Sequence, residues 1–157
     1  MAKFDDLDMK IIAELIKDAS ISIPRLSNRI NVNSSVVYSR IKRLVKRGLI
    51  ERYTLEVDEG LLGFPIKAMI GCNIDSRMRE KIVNEIQDLD ETRQILEVTG
   101  RFDLLLSVRT RSLDYLHTFI SDSIGRVEGV RHTETFIEMK RRTKIPNFIP
   151  TQATKGT

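Results

Sequence analysis

One stretch of the chain combines short hydrogen-bonding side chains with cations at helical spacing. From Asn33 to Ile50 the sequence is NSSVVYSRIKRLVKRGLI, without any Asp or Glu. At 100° per residue, the serines and most of the basic residues fall on one face, with the serines towards its N-terminal end. The recognition helix of a DNA-binding protein has this arrangement, because short polar side chains reach base edges while Lys and Arg hold phosphates. The stretch therefore predicts a helix that reads double-stranded DNA.

Eight residues of this helix are the candidate DNA contacts. We expect the base-edge contacts to come from Ser34, Ser35, Val36, Tyr38 and Ser39. We expect the phosphate contacts to come from Arg40, Lys42 and Arg43, with Lys46 as a further candidate. Packing of Tyr38 against the preceding helix is the alternative interpretation of that residue. A solvated basic face is the alternative for the whole helix. However, residues 19–50 contain seven Lys or Arg and no acid, whereas solvated helices usually mix both signs.

Two helices before this one are expected to position it. Residues 4–19 predict an amphipathic helix that Asp5 caps, with Asp8 completing a capping box three residues later. Residues 22–30 predict a second, shorter helix with Ser22 as its cap. The shorter helix, the turn after it and the basic helix form the predicted helix-turn-helix unit.

The signals between and after these helices are local. Asn31 tolerates the left-handed conformation and turns the chain, Asn33 caps the basic helix, and Gly48 ends it. The predicted buried stripe of the basic helix is Val37, Ile41, Leu44 and Val45. Alternating residues from Leu49 to Val57 predict a strand that acts as a wing or leads out of the domain.

The second half of the chain predicts a different kind of domain. The predicted strands are residues 64–74, 92–99, 102–110 and 130–142, and the predicted helices are residues 77–89 and 112–128. This βαββαβ order is that of a ferredoxin-like sandwich, with two helices on one face of an antiparallel sheet. Apolar residues such as Leu105 and Phe136 are left on the other face, where pairing of two sheets would bury them.

The predicted fold class is therefore α+β, an N-terminal winged helix-turn-helix followed by a ferredoxin-like domain. We place the first domain at residues 1–62, the second at 63–145 and a tail at 146–157.

Composition limits the other possibilities. The net charge of +4 favours polyanionic partners only weakly. The single cysteine, Cys72, permits no intrachain disulfide and is expected to be a small core residue of the first sheet strand. The start MAKFDDLDMK lacks the apolar region of a signal peptide, and no apolar run is long enough to span a bilayer, so we expect a soluble cytoplasmic protein. His117 and His132 are isolated, and no metal-ligand spacing or nucleophile–base pair occurs. We therefore expect no metal, no cofactor and no enzymatic activity.

The order of these motifs resembles that of the Lrp/AsnC regulators, also called feast/famine regulatory proteins. The resemblance extends from Phe4 to about Lys144 and rests on four stretches, FDDLDMKIIAEL, ISIPRLSNRINVNSSVVYSRIKRLVKRGLIERYTLEVDEGLLGF, VTGRFDLLLSV and GVRHTET. It implies a DNA-binding regulator with an N-terminal winged helix-turn-helix and a C-terminal domain that binds a small effector, usually an amino acid. It also implies assembly from homodimers, up to an octamer.

The chain departs from the family pattern at three positions. Asn31 stands where glycine is frequent, and Ser34 where proline is frequent, but both residues suit their positions physically. Arg101 stands where an acidic or small residue is usual. Its cation favours an acidic group on the ligand, or else closes the pocket with a salt bridge.

With this resemblance, one turn and one strand become the candidate effector site. Its residues are Gly100, Arg101, Phe102, Asp103, Thr133 and Thr135. Backbone N–H groups of the glycine turn suit the carboxylate of an amino acid, Asp103 suits its ammonium group, and threonine hydroxyls suit either. Without the resemblance, an ordinary hairpin with Asp as a turn residue is the simpler interpretation.

The function we expect is a sequence-specific regulator on a pseudo-palindromic operator, with DNA affinity or oligomeric state adjusted by the effector. The alternative is a ligand-independent architectural DNA-binding protein of the same fold. A third possibility, an effector-binding partner protein with vestigial DNA contacts, fits the acid-free segment less well.

Overall fold

A computed structural model of the chain describes residues 4–146, which divide into two compact units. Of these residues, 4–56 and 142–146 belong to the first unit and 57–141 to the second. In the part of the chain that is described, no helix has the length and apolar character needed to cross a membrane.

The division between the units falls before residue 57 rather than after the predicted residue 62. Glu59 lies with the second unit, where its carboxylate accepts from the guanidinium groups of Arg93 and Arg109 on the sheet. At the other end the second unit stops at Arg141 instead of residue 145. The predicted tail, apart from Pro146, lies outside the described residues.

The first unit contains three helices in the predicted order. They are α1 (Asp6–Lys17), α2 (Ile23–Ile30) and α3 (Ser34–Lys46). The capping box of α1 is confirmed, because the Asp5 carboxylate accepts from the Asp8 N–H and the Asp8 carboxylate accepts from the Asp5 N–H. Ser22 precedes α2 as predicted, but its side chain makes no capping hydrogen bond within residues 4–146. Asn31 adopts the predicted left-handed conformation, with φ of 52°.

Apolar residues from all three helices form the core of the first unit. Its buried members are Ile11, Leu15, Ile21, Leu26, Val37 and Leu44. Ile41 packs partly buried against them, as the predicted stripe requires. Val45 does not, since it is exposed. The stripe of α3 is therefore narrower than predicted.

The strand predicted at residues 49–57 is not formed. Residues 51–57 have no regular secondary structure, and no strand within residues 4–146 pairs with them. Leu55 and Val57 are exposed. Alternation of apolar residues is not sufficient for a strand, because its backbone groups need a neighbouring strand to bond to.

The second unit is built around a four-stranded antiparallel sheet in the order β2-β3-β1-β4. The strands are β1 (Ile66–Ile74), β2 (Thr92–Glu97), β3 (Leu104–Thr110) and β4 (Val130–Ile137), and the helices are α4 (Arg79–Gln87) and α5 (Leu113–Thr118). After α5 the chain continues helically through a π-helical turn, Phe119–Ser123, and a 3₁₀ turn, Ile124–Arg126. The predicted ferredoxin-like order of elements is confirmed.

The helices cover one face of this sheet and leave the other face open. On the covered face, Ala68, Ile70, Cys72 and Ile74 of β1 are buried in the core with Ile82 and Ile86 of α4. Cys72 is the small core residue that the sequence predicts, and burial raises its thiol pKa to about 12. On the open face, Met69, Leu96 and Phe136 are exposed and Leu105 is half-buried.

Candidate nucleic-acid interface and ligand site

The outer face of α3 presents five of the eight predicted DNA contacts to solvent. These exposed residues are Ser35, Val36, Tyr38, Ser39 and Lys42. Tyr38 is 47% exposed, so its ring is available at the surface. The Lys42 ammonium lies 4.8 Å from the centre of that ring. The face thus combines hydroxyl groups, a half-exposed aromatic ring and a cation, as recognition of base edges and phosphates requires.

The N-terminal turn of α3 is held by its own polar side chains. The Asn33 side-chain oxygen accepts from both the backbone N–H and the hydroxyl of Ser35, at 2.9 and 2.8 Å. One turn later the Ser39 hydroxyl donates to the Val36 carbonyl at 2.9 Å. Both hydroxyl oxygens keep free lone pairs that can accept a hydrogen bond from a base.

The other three predicted contacts are engaged inside the unit. The hydroxyl groups of Ser34 and Ser27 are hydrogen-bonded at 2.8 Å, which ties α3 to α2. Arg43 donates to the Asp8 carboxylate at 2.6 Å. Arg40 donates to the same carboxylate at 3.2 Å and also to Asp5. These residues hold α3 in place against its neighbours.

Asp8 is the centre of this arrangement. Its side chain has no exposed surface, yet it carries a carboxylate between two guanidinium groups. The adjoining Asp5 carboxylate is affected by the same cations. Its pKa falls to about 2, mainly because Arg40 hydrogen-bonds to it and also because the backbone N–H of Asp8 does. Asp5 and Asp8, at the start of α1, are therefore the ion-pair partners of Arg40 and Arg43 of α3.

Four of the seven cations in the acid-free segment remain for a polyanion. Arg25, Lys42, Lys46 and Arg47 are exposed and form no ion pair with any residue from 4 to 146. The three paired cations are Arg40, Arg43 and Arg29, of which Arg29 binds Glu14 at 3.2 Å. Arg25 and Arg47 were not among the predicted contacts, although they lie in the same acid-free segment.

The turn that precedes β3 packs across the open face of the sheet. Gly100 has φ of 135°, a conformation that favours glycine. The Phe102 ring lies against Gly71, where an added Cβ would be 2.6 Å from the ring. The same ring meets Phe136 edge-on, with 6.2 Å between centroids. Only glycine at position 71 leaves room for this packing.

Polar contacts fix the two charged residues of the turn. The Arg101 guanidinium forms a salt bridge of 2.6 Å with Glu134, so the cation has a partner on β4. Asp103 accepts from the Ile74 N–H at 3.0 Å and lies 3.7 Å from the Arg79 guanidinium. Its carboxylate is 37% exposed, and it could accept a further hydrogen bond from a ligand.

The two predicted threonines lie on the opposite face. Thr133 pairs with Cys72 and Thr135 pairs with Ile70, both of which point into the helix-covered core. Residues directly opposite each other in neighbouring strands point to the same face of a sheet. The structure therefore brings together the four turn residues and separates them from the threonines. The β4 neighbours of the turn are Glu134 and Phe136, which were not among the predicted site residues.

Within residues 4–146, no group of three or more His, Cys, Asp or Glu is arranged to hold a metal ion.

Known proteins match both halves of the chain. Residues 4–51 match the family model for winged helix-turn-helix DNA-binding domains, and residues 67–146 match that for the Lrp/AsnC ligand binding domain. The HTH-type transcriptional regulator FL11 of Pyrococcus furiosus is 32% identical over 145 residues, which cover 90% of this chain and 95% of that protein.

Two solved structures have the same fold. E. coli AsnC has a TM-score of 0.82 at 24% identity, covering 92% of this chain and 99% of that one. A Neisseria meningitidis transcriptional regulator, solved as a complex with L-Met, has a TM-score of 0.86 at 20% identity, covering 92% and 96%. The two matched family models and the similarity to FL11 show that the chain belongs to the Lrp/AsnC family of transcriptional regulators, with a winged helix-turn-helix DNA-binding domain followed by a ligand-binding domain.

Proposed function

We propose that this regulator reads a pseudo-palindromic DNA site through the outer face of α3, and that an amino acid adjusts the binding. The observation that carries the proposal is the exposed row of hydroxyls, Tyr38 and cations on that face, where the cations have no ion-pair partner in the described part of the chain. On the inner side of the same helix, Arg40 and Arg43 form ion pairs with Asp5 and Asp8, so the two sides of α3 have different functions.

The contacts divide by chemistry. Ser35, Val36, Tyr38 and Ser39 meet base edges, because their short or planar groups lie at the N-terminal part of the helix. The phosphate contacts come from Lys42, Lys46, Arg25 and Arg47. Ser34, Arg40 and Arg43 act indirectly, by holding the helix at the angle from which the others reach DNA.

A homodimer would supply the second recognition helix that a pseudo-palindrome requires. Two surfaces support this assembly. The open face of the sheet exposes apolar side chains, among them Met69, Leu96 and Phe136. Residues 51–57 leave their backbone groups without strand partners inside the described chain, while Leu55 and Val57 are exposed. Higher oligomers of such dimers are part of the same proposal, as is a cytoplasmic location.

The amino-acid effector is supported by the match to a ligand-binding domain and by the L-Met complex of a protein with the same fold. For the site we retain the turn Gly100, Arg101, Phe102 and Asp103. Asp103 offers a partly free carboxylate to an ammonium group. Thr133 and Thr135 stay outside this site because they occupy the covered face.

One observation favours the ligand-independent alternative, an architectural DNA-binding protein. Glu134 already neutralises Arg101, so the turn holds an internal ion pair where a ligand carboxylate could bind. Titration of each L-amino acid into the protein–operator complex distinguishes the two functions, because only the regulator changes its DNA affinity.

The division of contacts is tested with Ser39→Ala and Lys42→Ala, each measured on operator and on random duplex. Loss of Ser39 should lower operator affinity alone, by about fivefold to a hundredfold, because one base contact is removed. Loss of the Lys42 side chain should weaken binding to both duplexes by the same factor. Lys10→Ala on the exposed surface of α1 is the control for net charge. Equal losses from both variants on both duplexes would refute this division.

A further inference from the structure

A cavity of about 250 Å³ lies in the second unit, at the start of β1 and β2 and the end of β3. Six residues line it, namely Phe64, Asp90, Glu91, Thr110, Arg111 and Tyr115. We name it the Phe64 cavity. Its volume equals that of roughly eight water molecules, which is the size of a small metabolite.

This cavity is separate from the turn at residues 100–103. Cys72 pairs with Leu104 beside the turn, whereas Ile66 pairs with Thr110 beside the cavity. Six residue steps of β1 lie between these two pairs, a distance of about 20 Å along the strand. The two places therefore lie at opposite ends of the sheet.

The cavity carries charges of both signs. The Arg111 guanidinium lies 5.6 Å from the centre of the Phe64 ring. Neither Arg111 nor Asp90 forms an ion pair with any other residue in the part of the chain that is described. A guanidinium and a carboxylate that line one cavity without bonding to each other leave room for a molecule that pairs with both.

Two of the remaining polar lining groups are bonded to each other. The Tyr115 hydroxyl donates to the Glu91 carboxylate at 2.7 Å. This hydrogen bond raises the pKa of Tyr115, and the charges of Arg111 and Asp90 also act on the same hydroxyl. Asp90, Arg111 and Tyr115 are all exposed, so these groups stand at the open mouth of the cavity, where a ligand can reach them.

We propose that the Phe64 cavity binds a small zwitterion. Its carboxylate pairs with Arg111, its ammonium group pairs with Asp90 and Glu91, and its apolar part contacts the Phe64 ring. Free α-amino acids have this combination of groups, and they serve as the probes. The proposal goes beyond the proposed function, because it concerns binding to a second site in the absence of DNA.

Behind the lining residues lies a pair of arginines that bind Glu59 of the same unit. Arg93 lies over the Phe64 ring, at 5.6 Å from its centre, and donates both to the Asp90 carbonyl and to the Glu59 carboxylate. Arg109, which is nearly buried, donates to the same carboxylate at 2.9 Å. Two lining residues, Phe64 and Asp90, are thus in contact with Arg93, one of the two arginines that hold Glu59.

The test is calorimetric titration of the full chain with each of the common L-α-amino acids, without DNA. For each one that binds, two analogues are titrated as well, the amine that lacks the carboxylate and the acid that lacks the ammonium group. Both analogues should bind the wild-type protein at least about tenfold more weakly, since each loses a charged hydrogen bond.

Variants assign the two ends of the ligand. Arg111→Gln should weaken binding of the amino acid by about tenfold or more but leave binding of the amine analogue unchanged. Asp90→Asn should weaken binding of the amino acid but leave binding of the acid analogue unchanged. Arg111→Lys, which keeps the charge, should restore part of the affinity. Asp122→Asn, at an exposed acid of the π-helical turn outside both sites, is the control and should bind as the wild type does.

Three results would overturn the proposal. The first is that no amino acid binds. The second is that both Arg111→Gln and Asp90→Asn bind as the wild type does. The third is that Asp103→Asn alone abolishes binding, which would place the ligand at the turn. The analogue titrations on the wild-type protein test whether the ligand is a zwitterion, and Arg111→Lys, the mildest change, tests the place even if Arg111→Gln or Asp90→Asn fails to fold. The first result would also contradict the proposed amino-acid effector, whereas the second and third would not. None of the three affects the proposed reading of DNA by α3.

Discussion

Replacement of Asp8 by asparagine should destabilise the first unit far more than its small change in shape suggests. Asparagine keeps the volume and one acceptor oxygen, but it leaves Arg40 and Arg43 facing a neutral group. Removal of one partner from a buried ion pair typically costs about 3–5 kcal/mol. Here the guanidinium side chains are 25% and 39% exposed, and Arg40 keeps Asp5, so water and Asp5 recover part of that loss. We therefore expect about 2–3 kcal/mol.

The assay is equilibrium urea unfolding of the full chain, followed by far-UV circular dichroism. Small domains have urea slopes of about 1 kcal/mol per molar, so the midpoint of the helical unit should fall by about 2 M or more. Asp6→Asn is the matched control, because Asp6 occupies the same helical turn but is exposed. Its loss should cost no more than about 0.5 kcal/mol through the helix dipole.

A double-mutant cycle separates the ion pair from other effects of the change. Asp8→Asn combined with Arg43→Gln should show a coupling of about 1 kcal/mol or more, since the two groups are in contact at 2.6 Å. If Asp8→Asn unfolds at the same midpoint as Asp6→Asn, or if the coupling is zero, then the buried carboxylate does not hold α3 in place and our reasoning is refuted.

Three further predictions concern single residues in both units. The hydrogen bond from Arg40 lowers the pKa of Asp5 to about 2 in the folded chain. The ionised carboxylate therefore stabilises the folded state fully above about pH 4, and this stabilisation is lost as the pH falls from there to about 2. The urea midpoint of Asp5→Asn should accordingly change less over this pH range than that of the wild type. Gly71→Ala should cost about 1–3 kcal/mol in urea unfolding, because the new Cβ meets the Phe102 ring; Phe102→Ala in the same chain should remove most of that additional cost, and an unchanged cost would contradict the packing. Cys72, whose pKa burial raises to about 12, should resist a thiol reagent at neutral pH until urea unfolds the second unit, whereas rapid labelling of the native chain would contradict its burial.

Features that depend on near neighbours could be predicted from the sequence. Asn31 and Gly48 have the positive φ angles expected of residues that turn the chain or end a helix. Asp5 and Asp8 form the predicted box because they are only three residues apart. Cys72 is buried because its alternation with the other apolar residues of β1 defines the covered face. Each of these needs only local geometry and the repeat of one element.

The pairing of charges between helices could not be predicted in this way. Residues 19–50 contain no acid in sequence, yet Glu14, Asp5 and Asp8 supply carboxylates to three of the seven cations in space. Asp8 and Arg43 are separated by 35 residues, so only the crossing of α1 and α3 brings them together. One signal was present, since Arg40 and Arg43 are three residues apart and so share one side of the helix.

The strand and sheet errors have a different cause. The alternation at residues 49–57 indicates a strand, but a strand also needs a partner, and residues 4–146 of a single chain provide none. On β4, a shift of one residue exchanges the faces of a sheet. Thr133 and Thr135 therefore face the core, whereas Glu134 meets the turn at Arg101. The register in which β4 pairs with β1 decides which of its residues face the core, and this register cannot be read from the sequence of β4 alone.

The most direct test of the central claim, that the outer face of α3 reads sequence, is a binding measurement at two salt concentrations. The two ligands are the DNA upstream of the chain's own gene and a random duplex of equal length. We predict a preference of ~10³ or more that persists at the higher salt. Four cations in each of two copies form no ion pair among residues 4–146, so the logarithm of affinity should fall with that of salt by a slope of about seven. Equal affinities for both duplexes, falling together as salt rises, would contradict the claim and leave only phosphate binding.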